Sequence, residues 1–133
     1  MISGYSDVIA MRHPKMHSVA EFAKGSNVPV INGGDGANEH PTQALLDLFT
    51  IQSEMTPYDK GLDGINIVLM GDLKHGRTVH SLSKLLSLYK NVKVTMIAPD
   101  ALQMPDNVIS TLTNAGHEVV LTDKIAGNLA CDV

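Results

Sequence analysis

Unbroken apolar stretches in this 133-residue chain are only a few residues long. None approaches the roughly 20 residues a helix needs to cross a bilayer, so a membrane span is not expected. The first residues, Met1-Ile2-Ser3-Gly4-Tyr5-Ser6-Asp7, have neither a basic flank nor an apolar core and do not read as a secretory signal. Basic residues are outnumbered: 10 Lys and Arg against 14 Asp and Glu give a net charge of -4, with no basic run. That removes the electrostatic basis for general nucleic-acid binding. One cysteine, Cys131, excludes an internal disulfide and fits a reducing, cytoplasmic setting. Tight clusters of metal ligands are also lacking. His13 and His17 are four apart but interrupted by Pro14, and His75 and His80 straddle a predicted turn, so no metal is expected. No pair of carboxylates is spaced for acid–base work. Repeats and low-complexity segments are absent as well.

What is present is enough apolar residue, 44% against 18% charged, to form a packed core. The run Val8-Ile9-Ala10-Met11 predicts a short buried strand within Asp7 to Met11, broken by Pro14. Ser18 to Lys24 reads as a helix closed by Gly25, and Val28 to Ile31 as a second strand. A glycine-rich loop, Asn32 to His40, follows. Pro41 suits a first helical turn, and Ala44, Leu45, Leu48, Phe49, Ile51 and Met55 form a broad apolar face up to Pro57. Tyr58 to Gly64 reads as a domain junction. Beyond it the pattern alternates: a strand over Ile65 to Met70, nearly all apolar as if covered on both faces; a helical stripe of Val79, Leu82, Leu85, Leu86 and Tyr89; a strand over Val92 to Ala98; a helix over Pro105 to Ala115; a strand over Glu118 to Leu121; and a weaker helix over Lys124 to Ala130. Strands and helices in alternation predict α/β architecture with parallel sheets. The chain stops at Asp132-Val133, where a further strand is due, and one βαβ unit at the front is too little to bury its own sheet. Both features suggest a truncated protein.

Ligands of open α/β sheets bind beyond the carboxyl ends of the strands. Three segments fall there: Arg12-His13-Pro14, the loop Gly33 to Gln43, and Gly71 to Thr78. Arg12 offers a planar fork of donors for phosphate or carboxylate, or else simply caps a strand end at the surface. His40 is placed to donate to a carbonyl oxygen and Gln43 to add an amide; alternatively Asn38 or His40 only caps the helix. Gly71-x-x-x-x-Gly76-Arg77-Thr78 is one residue away from the phosphate-loop pattern Gly-x-x-x-x-Gly-Lys-Ser/Thr. Arg77 replaces the lysine and Asp72 adds negative charge, which leaves a weaker expectation: an anion held by backbone N–H groups and Arg77 at a helix N-terminus.

Longer strings narrow the choice. Ile9-Ala10-Met11-Arg12-His13-Pro14 resembles a segment of the carbamoyl-phosphate domain of aspartate carbamoyltransferases. The stretch Pro29 to Ile51, with His40-Pro41-Thr42-Gln43 at its centre, is similar to that family's second motif. Gly71-Asp72-Leu73-Lys74-His75-Gly76-Arg77-Thr78-Val79-His80-Ser81-Leu82 resembles its aspartate-domain motif rather than that of the ornithine enzymes. The motifs stand in the family's order and the similarity covers essentially the whole chain.

The resemblance implies parts of two parallel-sheet α/β domains joined by an interdomain helix. Residues 1–43 would close the carbamoyl-phosphate domain, 44–56 would form the linking helix, and 57–133 would begin a Rossmann-like aspartate domain. It further implies transfer of a carbamoyl group from carbamoyl phosphate to L-aspartate, early in pyrimidine biosynthesis, by a cytoplasmic homotrimer that needs no cofactor. Arg12 and His40 would be catalytic. Arg12, His40 and Gln43 would hold carbamoyl phosphate, with Arg77 and Thr78 on aspartate. The family's phosphate-binding string Ser-Thr-Arg-Thr-Arg lies upstream of the matched region, and its later substrate-binding arginine and His-Pro-Leu-Pro motif lie downstream. The chain alone is therefore expected to be an inactive internal fragment. Two non-enzymatic readings compete: a short product that binds a full-length transcarbamoylase, and a nucleotide-binding domain with a degenerate phosphate loop.

Overall fold

The computed structural model describes residues 2–125 and 130–133. Among the described residues, five strands and four α-helices alternate: β1 (Ile9–His13), α1 (Ser18–Lys24), β2 (Val30–Asp35), α2 (Pro41–Met55), β3 (Asn66–Met70), α3 (Arg77–Leu86), β4 (Lys93–Ile97), α4 (Asp106–Asn114) and β5 (Glu118–Thr122). β1 and β2 form one parallel pair, and β3, β4 and β5 a second parallel sheet in that order. The α/β class and parallel sheets read from the sequence are therefore present. α2 runs between the two sheets and packs along α3.

The first two strands lie about two residues later than the apolar runs suggest. β1 extends through Arg12 and His13, and β2 takes in Asn32-Gly33-Gly34-Asp35, half of the expected loop. Pairing decides this. Met11 stands opposite Asn32 and His13 opposite Asp35, with an irregularity between them, so polar and glycine residues are drawn into the ladder. The buried strand expected near Val8 is instead half-exposed: Val8 is open to solvent, and only Ile9, Met11 and His13 are partly covered.

The main core belongs to the second sheet. Ile67, Leu69, Val94 and Met96 point into a cluster with Leu82 and Leu86 of α3 and Val108 and Leu112 of α4. Ala44, Ile51 and Met55 of α2 join it. Fully burying such side chains contributes about 1.5–3 kcal/mol each. β3 is not covered on both faces, since Met70 is 62% exposed and Val68 only half-buried. Likewise the apolar face of α2 is only partly used: Leu45 and Phe49 stay exposed while Ala44, Ile51 and Met55 are buried. Asp132 and Val133 lie on the free edge of β3, where Val68 N donates to Val133 O at 2.8 Å and Asp132 N to Asn66 O at 2.7 Å. These bonds follow the pattern of a parallel neighbour. The helix expected over Lys124 to Ala130 lies mostly outside the described residues; Lys124 and Ile125 are not helical. No helix among the described residues is long and apolar enough to cross a membrane.

Candidate functional site

The carboxyl ends of β1 and β2 face the start of α3. Between them is a cleft of about 340 Å³ lined by Arg12, His13, Pro14, Gly36 and Arg77. Arg12 is delivered by β1, Gly36 by the turn leaving β2, and Arg77 by the first position of α3. The Arg77 guanidinium donates from Nη1 to the Gly36 carbonyl. Gly36 N in turn donates to His13 O at 2.8 Å. Two guanidinium groups and no carboxylate line this cleft, which suits it to an anionic ligand with oxygens at both ends. The two arginines stand 65 positions apart in sequence, Arg12 on a strand of the first sheet and Arg77 on a helix that packs with the second.

Behind the cleft lies Asp35, 1% exposed. Its carboxylate accepts from His17 N at 2.9 Å, Asn38 Nδ2 at 3.0 Å, Glu39 N at 3.1 Å and Asn32 Nδ2 at 3.2 Å. Burial pushes its pKa up, but the donations from Asn38, Asn32, Glu39 and His17 outweigh it and hold the group below its usual value of 3.8. A carboxylate whose pKa is depressed on folding stabilises the fold fully above 3.8, and that contribution is lost as pH falls through the lower folded value. The side-chain amide proton shifts of Asn32 and Asn38 are therefore expected to titrate with a midpoint below 3.8. A midpoint above 3.8 for these two amides would contradict the assignment.

His40 caps α2. Its ring Nδ1 accepts from Gln43 N at 3.3 Å. A nitrogen that accepts carries no proton, so neutral His40 holds its proton on Nε2, as a donor. The ring lies over Gly34, where an added Cβ would come within 3.5 Å of its Cδ2. His40 is close to the arginine cleft but not among its lining residues. Gln43 is turned along its own helix, donating from Nε2 to Asp47 Oδ1 at 2.8 Å. Thr78 follows Arg77 in the first turn of α3 and is partly buried.

The loop from Gly71 to Gly76 departs from a phosphate cradle. Leu73 N donates to Gly71 O and Leu102 O at 3.1 and 3.0 Å, Lys74 N to Leu102 O at 3.0 Å, and Arg77 N to His75 O at 2.9 Å. His75 N donates to Asp72 Oδ1 at 3.0 Å. That N–H, with the His75 imidazole at 3.1 Å, holds the Asp72 carboxyl below the usual carboxylate range. The amides of Leu73, Lys74, His75 and Arg77 are thus already bonded within the protein, which leaves the degenerate phosphate-loop reading short of donors. The Arg77 side chain supplies a charged donor for an anion at this end of α3.

A second set of contacts ties the two sheets together. His40 N donates to Ser81 Oγ at 3.1 Å. Ser81 Oγ donates to one Glu39 carboxylate oxygen, and Lys84 Nζ donates to the other as an ion pair. Among the described residues, no group of three or more His, Cys, Asp and Glu side chains is placed to hold a metal ion.

Comparison with known proteins agrees with this arrangement. Residues 1–53 match the family model for the aspartate/ornithine carbamoyltransferase carbamoyl-P binding domain. The chain is 61% identical over 125 residues to the aspartate carbamoyltransferase catalytic subunit of Cellvibrio japonicus, a match covering 94% of this chain and 37% of that one. This chain belongs to the aspartate/ornithine carbamoyltransferase family. The Trypanosoma cruzi aspartate transcarbamoylase solved with carbamoyl phosphate and aspartate superposes with a TM-score of 0.81 at 45% identity, over 94% of this chain and 42% of that one. The catalytic subunit from M. jannaschii gives 0.82 at 44% identity, over 93% and 39%. The chain thus spans about two fifths of the carbamoyltransferases it matches.

Of the carbamoyltransferase residues expected from the sequence, the structure brings Arg12 and Arg77 into one cleft, with Thr78 next to Arg77 and His40 nearby. Gln43 is not turned toward them. Sequence reading missed Asp35, hidden in a glycine-rich string that reads as a loop, and the Glu39–Ser81–Lys84 cluster. The signal for Asp35 was its flank of short polar partners, Asn32 and Asn38, each three residues away. Nothing in the sequence signals that Ser81 and Glu39 meet across 42 positions.

Proposed function

We propose that this chain is part of an aspartate carbamoyltransferase catalytic chain. The complete protein transfers the carbamoyl group of carbamoyl phosphate to the amine of L-aspartate, giving N-carbamoyl-L-aspartate and phosphate, an early step of pyrimidine biosynthesis. The observation that carries this reading is the shared cleft of Arg12 and Arg77, in a chain similar to an enzyme solved with carbamoyl phosphate and aspartate. On this reading Arg12 holds carbamoyl phosphate on the side of the first sheet, and Gln43, once turned from Asp47, faces its amide. Arg77 takes a carboxylate of aspartate on the side of the second sheet, with Thr78 beside it. Attack of the amine on the carbonyl carbon moves charge onto the carbonyl oxygen, and the N–H on Nε2 of His40 is a preorganised donor for it. Phosphate then leaves as the tetrahedral centre collapses, carrying away the proton given up by the attacking amine. Holding both substrates together removes much of the entropic barrier. No protein nucleophile is needed. The complete protein acts as a cytoplasmic homotrimer.

Two expected results test the proposal. The purified 133-residue chain is expected to form no carbamoyl aspartate above background, since it spans only 37% of its Cellvibrio relative. Robust turnover by the chain alone would sink the view that substrate-binding groups lie outside it. In the complete catalytic chain, His40→Ala is expected to lower kcat by about 100-fold or more while the KM for aspartate stays near its original value. A steady-state assay that instead found only a raised KM would remove His40 from the chemical step.

A further inference from the structure

We infer that Asp35 is a positioning residue that fixes both the His40 imidazole and the Gly36 carbonyl, although it touches neither substrate position. The inference rests on the carbamoyl-transfer reading for its kinetic part only. Four donors converge on this one carboxylate from three separate pieces of chain: His17 ahead of α1, Asn32 within β2, and Asn38 and Glu39 before α2. Its backbone is engaged as well, with Asp35 N donating to Glu39 O at 3.3 Å and Asn38 N to Asp35 O at 3.2 Å. Side chain and main chain together close the turn from Asp35 to Glu39 into one conformation. The two functional groups stand at the ends of that turn. Gly36 follows Asp35 directly, and its carbonyl receives Arg77. His40 follows Glu39 directly, and its ring is seated over Gly34 with Nδ1 toward Gln43 N.

A neutral amide of the same shape cannot replace this carboxylate. Asparagine keeps one acceptor oxygen and puts an N–H₂ group where the second oxygen accepts, facing other donors. At least one of these partly buried donors then loses its acceptor, and the turn relaxes. A displacement of about 1 Å at the reacting groups is enough to cost on the order of 100-fold in rate.

The test uses the complete catalytic chain carrying Asp35→Asn, with Leu112→Ala as a control that lowers stability from the far core. Two readouts are taken well below the melting temperature: kcat, and the ¹⁵N shifts of the His40 ring, which report which nitrogen bears the proton. In Asp35→Asn the ring is expected to lose its preference for the Nε2 proton and kcat to fall by about 100-fold. Leu112→Ala is expected to keep both. Wild-type ring shifts and kcat in Asp35→Asn, with only a lower melting temperature, would overturn the inference. Should Asp35→Asn not fold, Asn38→Ala removes one of the four donors. A shifted His40 ring supports the inference, and an unchanged one overturns it. The ring readout needs no substrate, so a protein inactive in carbamoyl transfer still tests the positioning role.

Discussion

Replacing Arg77 with alanine in the complete catalytic chain is expected to raise the KM for aspartate by about 100-fold or more, with carbamoyl phosphate binding changed by only about threefold. The asymmetry follows from position. Arg77 opens α3 on the second sheet, whereas Arg12 ends β1 on the first, so each guanidinium belongs to one side of the cleft. Losing Arg77 leaves a substrate carboxylate desolvated without its forked partner, and lysine at the same place supplies charge but not the fork. Initial rates at varied concentrations of each substrate, with direct binding of carbamoyl phosphate by calorimetry, separate the effects. An unchanged aspartate KM would remove Arg77 from the aspartate side.

Gly36→Ala is the second substitution with a large expected effect. Gly36 has a φ of 64°, and a Cβ there would stand 2.3 Å from Pro14 O and 3.1 Å from Met16 N, both backbone atoms. No side chain can swing aside to relieve that contact, so β1 and the turn after β2 must separate. Gly36 also holds His13 through its N–H and Arg77 through its carbonyl, so separation opens the cleft on two sides. The expected outcome is a loss of at least 100-fold in kcat/KM for both substrates. Thermal stability is expected to fall by about 1–3 kcal/mol from overpacking alone. Gly4→Ala, well away in sequence and with no heavy atom within 4 Å of the added Cβ, is the control and is expected to change neither. Near-normal kinetics in Gly36→Ala would show that the cleft does not depend on this close approach.

How much of this was legible beforehand differs from element to element. α1, α2 and α4 follow their apolar spacing and end signals closely, because helical hydrogen bonds are local and a Pro or Gly ends them wherever it stands, whereas α3, with neither at its end, stops at Leu86 short of Tyr89. β1 and β2 were misplaced by about two residues because a strand's limits are set by its partner, and Met11 has no way to announce Asn32. Leu45 and Phe49 read as core from helical period alone, yet period says only which residues share a face, not whether anything covers it. Arg12, His40 and Arg77 were found through string resemblance. Their spacing alone would have left Arg12 a surface cap and the Arg77 loop a damaged phosphate loop. Asp35 was passed over because its worth lies in four donors that only the folded chain collects. Gln43 was assigned by resemblance, but its amide lies against Asp47.

The bonds between the two sheets have a mechanical consequence. Among the described residues, every side-chain hydrogen bond that joins them runs from the stretch 36–40 to the stretch 77–84. α2, seated in the second core and 15 residues long, extends away from this patch as a stiff rod of about 22 Å. The patch therefore works as a fulcrum, and distance from it sets leverage. Ala44, Ile51 and Met55 anchor that rod in the second core, so a tilt at the patch carries the first sheet while the rod stays with the second.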